Sequence, residues 1–159
     1  MKLLLRVWRQ RRADQPGAFE EYPVPDAAPD MTVLELLDRL NEHRAEQGVD
    51  PIAFDSDCRE GICGACGITI DGVPHGPVAN VATCNQHVRS FADGATVTLE
   101  PFRAGSFPAV RDLVVDRAAL DRLLAAGGYV SVDAGTAPDA DASPTTPETA
   151  ERALAFAAC

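Results

Sequence analysis

Nothing constrains this chain more than its cysteines. Cys58, Cys63 and Cys66 are spaced C-x4-C-x2-C, and Cys84 follows at a distance, so four of the five cysteines fall within residues 58–84. This is the plant-type spacing for thiolate ligation of a 2Fe-2S cluster. A diiron core takes two thiolates per iron, and a short loop can wrap three of them around one side while the fourth arrives from elsewhere. Gly61, Gly64 and Gly67 suit such a loop, because backbone lacking Cβ reaches positive φ and approaches a cluster closely. N–H groups aimed at the sulfurs then help to set the reduction potential.

Other ligand sets account for less. Cys63-x2-Cys66 with Cys84-x2-His87 would satisfy a Cys3His structural zinc site, but leaves Cys58 idle. A Rieske centre needs two histidines on one iron; Cys84-x2-His87 mimics half of that, and no histidine lies near Cys63 or Cys66. Disulfides would call for a secretory context that the sequence does not show.

The segment CREGICGAC at 58–66 is followed in order by FPAVRDLVVDR at 107–117. With these two stretches the chain resembles the iron-sulfur subunit of succinate dehydrogenase or fumarate reductase, in the branch with a PHGP segment, here 74–77, before the fourth ligand. The resemblance spans nearly the whole chain. It implies an α+β fold, with a β-grasp 2Fe-2S ferredoxin-like domain over 1–105. A connector and the start of an α-helical ferredoxin-like domain then occupy 106–159. It also implies that Cys58 and Cys63 hold one iron while Cys66 and Cys84 hold the other. The sequence itself offers no catalytic residue or substrate site: it has no dinucleotide fingerprint, and His75 and His87 sit in the cysteine region. Electrons would arrive from a separate flavoprotein subunit that interconverts succinate and fumarate. They would leave through 4Fe-4S and 3Fe-4S clusters, carried by a further C-terminal part, toward quinone in a membrane-anchor subunit of cytochrome b type. The chain would then be peripheral, through its partners, on the cytoplasmic face of the cell membrane. Some relatives replace the third ligand by Asp; here Cys66 is intact. The gap of 17 residues between Cys66 and Cys84 is longer than in the mitochondrial-type branch. Cys159 stands where the family's next cysteine motif would begin, so the expectation is a chain cut at the first ligand of the 4Fe-4S cluster.

Lys and Arg number 14 against 24 Asp and Glu, a formal charge of −10. That balance argues against a nucleic-acid partner and leaves protein partners or soluble carriers. The start, MKLLLRVWRQRR, has its apolar run broken at Arg6, too short for the roughly seven to fifteen residues of a signal-peptide core. No stretch approaches the roughly 20 apolar residues of a membrane span.

Along the chain, residues 2–8 alternate as a strand with Leu3, Leu5 and Val7 on one face, and Phe19 to Val24 makes a second, antiparallel strand. The basic cluster Arg6, Arg9, Arg11 and Arg12 reads as a solvated hairpin end, with docking of an acidic partner as the alternative. Thr32 and Glu35 form a capping box. A helix follows with Val33, Leu36, Leu37 and Leu40 as its apolar stripe, stopped by Gly48. His43 on it has no assigned role. Ile52 and Phe54 lead into the cysteine loop. Gly67 to Ile70 reads as a strand closed by the Asp71-Gly72 turn, and Thr96 to Glu100 as the last strand, with Val97 and Leu99 inward.

Leu113 to Val115 reads as an apolar connector. Asp116 is the expected N-cap of a helix with Leu120, Leu123 and Leu124 on one face, ending at Gly127-Gly128. Residues 133–147 read as a loop, and Thr146 and Pro147 open a helix that runs to Cys159. His75 is expected to be structural in the PHGP turn. Arg59 either offsets the cluster's negative charge or faces solvent. Two rival functions stay open: a free-standing 2Fe-2S carrier, for which the segment Phe107 to Leu124 is superfluous, and a zinc-stabilised interaction module.

Overall fold

The computed structural model describes residues 1–127 and 146–157. They fall into two compact units, divided between Asp116 and Arg117.

In the first unit the alternation at the start becomes strand β1, Leu3–Arg9, whose Leu3, Leu5 and Val7 are buried. It forms an antiparallel hairpin with β2, Ala18–Val24, placing Leu5 opposite Tyr22. The capping box forms as the sequence requires: Glu35 N–H donates to Thr32 Oγ1 at 3.2 Å, and Thr32 N–H to the Glu35 carboxylate at 2.6 Å. Helix α1, Val33–Glu46, starts there, and Gly48 closes it with φ +68°. Its buried face is Val33, Leu34, Leu36 and Leu37, so Leu34 joins the expected stripe while Leu40 is only partly buried.

Strand β3, Ile68–Ile70, turns back into β4, Val73–Pro74. Asp71 at φ +50° and Gly72 at φ +77° make this turn, the positive-φ pair that matches the twist of a two-residue hairpin. Strand β5, Thr96–Pro101, lies between β1 and β3, parallel to the first and antiparallel to the second. Among the described residues the sheet order is therefore β2-β1-β5-β3-β4. Leu3, Leu5, Val7, Val97, Leu99, Ile68 and Ile70 share one core with the buried residues of α1.

Residues 106–116 also belong to the first unit, and they contain a small hairpin of β6, Ala109–Arg111, and β7, Val114–Val115. Leu113 to Val115, an apolar connector by sequence, instead folds back into the first unit and ends in β7. Leu113 is buried in the core, and the reason is its neighbour. Asp112, at φ +47°, accepts from Gln10 N–H at 2.9 Å, Ala53 N–H at 2.8 Å and Arg9 Nε at 3.1 Å. Leu113 N–H in turn donates to the Ala53 carbonyl at 3.1 Å. Arg9 is thereby no part of a solvated basic end: its side chain is only 12% exposed and also donates to Tyr22 at 2.9 Å. Arg12, by contrast, is exposed beside Asp14.

In the second unit, α2, Ala118–Ala125, begins one residue later than expected. Its N-cap is Arg117, with no side-chain cap, and not Asp116. Leu120 and Leu124 are 39% and 37% exposed. Helix α3, Pro147–Ala157, begins where the Thr-Pro signal placed it, with Thr149 N–H donating to Thr146 Oγ1 at 3.3 Å. Most of the 133–147 loop, Gly128 and Cys159 lie outside the described residues. Among the described residues no helix is long and apolar enough to cross a membrane.

Candidate metal centre

Helix α1 is the platform on which the cysteine loop is mounted. At one end of the loop, the Asn41 amide takes both backbone groups of Ile52, accepting its N–H at 2.7 Å and donating to its carbonyl at 2.8 Å. This fixes the segment that leads into the loop. At the other end, a short 3-10 turn, Thr83–Asn85, carries the buried Cys84. It is bound to the start of α1 by Val33 N–H to Gln86 O at 2.8 Å, and Val88 N–H to Met31 O at 2.8 Å. His87 bridges Thr32 through the backbone.

The loop brings the four expected cysteines together in two pairs. Cys58 receives N–H groups from Glu60 and Cys63, each at 3.4 Å. The donors of Glu60, Cys63 and Ile62, together with the Cys63 thiol, hold the Cys58 thiol down at a pKa of about 7. Cys84 pairs with Cys66; burial first, then the neighbouring Cys66 thiol, push the Cys84 thiol above its ordinary value, while the Gly61 N–H acts against them. Ala65 N–H donates to Cys63 Sγ at 3.4 Å. Cys66 and Cys84 are buried, Cys58 is half-buried and Cys63 is exposed. Arg59 at φ +56° and Gly61 at φ +75° give the loop its curl. A Cβ on Gly61 would meet Asn85 Nδ2 at 2.5 Å, so the loop passes close to the Asn85 side chain of the Cys84 turn there.

This arrangement fits a 2Fe-2S cluster. Each thiol has a second thiol beside it, and N–H groups of the loop already point at sulfur, as cluster thiolates require. Among the described residues no three His, Cys, Asp or Glu side chains converge as they would on a single ion.

The roles of Gln86 and of the glycine packed on it were not legible in the sequence. Gln86 is fully buried, and its amide donates to the Val78 carbonyl at 2.9 Å. It thus fastens the long segment between the third and fourth cysteines to the Cys84 turn. Gly76, at φ +113°, packs against it: a Cβ would lie 2.9 Å from Gln86 Cδ and 3.2 Å from Ile70 Cδ1. His75, beside it at φ +66°, stacks on Phe102 with centroids 5.0 Å apart. Arg59, whose role the sequence left open, reaches α1 and forks onto the Asp38 carboxylate, Nη2 lying 3.1 Å from Oδ1, with Ser56 Oγ also at 3.1 Å.

Residues 4–122 match the family described as 2Fe-2S iron-sulfur cluster binding domain, and the chain belongs to that family. The mixed α+β fold is compatible with a ferredoxin-like domain of this kind. The chain is 37% identical over 118 residues to the fumarate reductase iron-sulfur subunit of Wolinella succinogenes, covering 72% of this chain and 43% of that one. It is 30% identical over 131 residues to the succinate dehydrogenase iron-sulfur subunit of Bacillus subtilis, covering 80% and 47%. Among solved structures it is similar to a chain of the Mycobacterium smegmatis Sdh1 complex in the apo form. The TM-score is 0.69 at 25% identity, over 99% of this chain and 59% of that one. The chain thus spans less than half the length of both curated relatives.

Proposed function

We propose that Cys58, Cys63, Cys66 and Cys84 ligate the 2Fe-2S cluster, and that the chain serves in the electron-transfer iron-sulfur subunit of a succinate dehydrogenase or fumarate reductase. The observation that carries the ligand assignment is the pairing itself, Cys58 with Cys63 and Cys66 with Cys84. The first pair would hold the outer iron, at the exposed side of the loop, and the second the inner iron, against the core. A 2Fe-2S cluster takes up and passes on one electron at a time, which suits a relay between a two-electron flavin and further one-electron centres.

The residues of the chain set the conditions for that relay. Glu60, Cys63 and Ala65 offer N–H groups to sulfur, which stabilise thiolate charge. Ile62, 78% exposed on the same loop, gives a partner an apolar contact next to the exposed Cys63. The partners proposed are a flavoprotein subunit and a cytochrome b type membrane anchor, with the protein peripheral on the cytoplasmic face and quinone reached indirectly. The β-grasp arrangement is proposed for the ferredoxin-type part, and α2 and α3 are proposed to begin a helical ferredoxin-like domain.

The test is to purify the protein with whatever it binds in its native membranes and add succinate anaerobically. The expected result is a co-purifying flavin-bearing subunit and succinate-dependent reduction of the cluster, seen as bleaching of its visible absorption. Reduction by a soluble pyridine-nucleotide reductase alone, with no flavoprotein bound, would instead make the chain a free-standing carrier.

A further inference from the structure

Residues 58–61 form a turn in which two left-handed residues alternate with ordinary ones: Arg59 at φ +56° and Gly61 at φ +75°. That alternation aims Glu60 N–H at Cys58 Sγ, at 3.4 Å, and Gly61 N–H at Cys84. One turn thus presents donors to a sulfur of each cysteine pair. Gly61 adopts its conformation without penalty, whereas Arg59 carries a Cβ. A left-handed residue with a side chain is strained and persists only where its surroundings over-determine it.

What holds Arg59 is its own far end. The guanidinium donates both Nη1 and Nη2 to Asp38 on α1, and Nη2 also to Ser56 Oγ. Arg59 also lines a cavity of about 90 Å³ with Thr32, Leu34, Glu35 and Cys84, so the residue after the first cysteine also lies near the fourth. We propose that Arg59 and Asp38 act as a positioning pair, locking the left-handed turn after Cys58 onto helix α1 so that its N–H groups stay aimed at the sulfurs of both cysteine pairs. This rests on the ligand assignment proposed above. The role depends on geometry more than on charge, because only a guanidinium gives two parallel donors to one carboxylate; a lysine in its place keeps the charge and loses the fork.

The experiment compares the full-length protein, purified anaerobically, with Asp38→Asn, Arg59→Lys and the double variant. Iron release to an excess of chelator is followed in the visible, and visible circular dichroism reports the surroundings of the cluster. Each single variant is expected to release iron about fivefold faster, the scale of a two-bond exposed ion pair, and to change the visible dichroism. The double variant should be no faster than the faster single. Release within about twofold of the unmodified protein in both singles, or effects that multiply in the double, would overturn the pairing. Should Asp38→Asn disturb the helix, as far-ultraviolet dichroism would reveal, Arg59→Lys leaves α1 untouched and decides alone. An unmodified protein with no visible dichroism at all would overturn the ligand assignment itself, and the role of the pair with it.

Discussion

Asp112 shows how much of this molecule depends on single buried polar groups. Its carboxylate, 2% exposed, takes the N–H groups of Gln10 and Ala53 and the Arg9 guanidinium. Removing it by Asp112→Ala would strand a largely buried cation and two backbone donors. The expected cost is about 3–5 kcal/mol, the range for breaking a buried pair from one side, measured by urea unfolding of the apo chain. Asp112→Asn retains one acceptor oxygen and should cost less; equal, negligible losses in both would contradict this account of the hairpin. Nothing local in FPAVRDLVVDR distinguishes Asp112 from a surface turn residue, since its partners lie 102, 59 and 103 positions away in sequence. The same blindness covers Arg9, read as one of four solvated arginines, and Gln86, whose partner sits across a loop. The cysteines were legible because their ligand spacing is a local signature. The residues that hold them in place were not.

At the scale of elements, the signals that worked were short-range and periodic. The alternation of β1, the capping box of α1 and the Asp71-Gly72 turn each carry their own geometry within a few residues. Signals failed where long-range contacts decide, as at β6 and β7, or where a cap residue was inferred from type alone, as at Asp116. Helix α1 does more than cover the sheet. It grips the cysteine loop at Asn41, at Asp38 and at its own N-terminus. Asn41→Ala would leave both backbone groups of the buried Ile52 without their partner. A loss of about 2 kcal/mol is expected in urea unfolding, against about half a kcal/mol or less for Glu42→Ala on the exposed face. Equal effects of the two substitutions would show that the Asn41 contact does not anchor the loop.

At the scale of the whole molecule, the first unit has its own core and presents the cysteine loop with one sulfur pair at the surface and the other within. That polarity suits the proposed relay, in which a partner would approach over Cys63 and Ile62. Everything proposed about partners depends on the four thiols acting together as one cluster site. The most direct test is iron, zinc and acid-labile sulfide analysis, with the paramagnetic resonance spectrum of the anaerobically purified and reduced protein, repeated for Cys84→Ala. About two iron and two sulfide per chain, with a signal that appears on one-electron reduction and is lost in Cys84→Ala, is the expected result. Stoichiometric zinc in a colourless protein, unaffected by loss of Cys58, would contradict it.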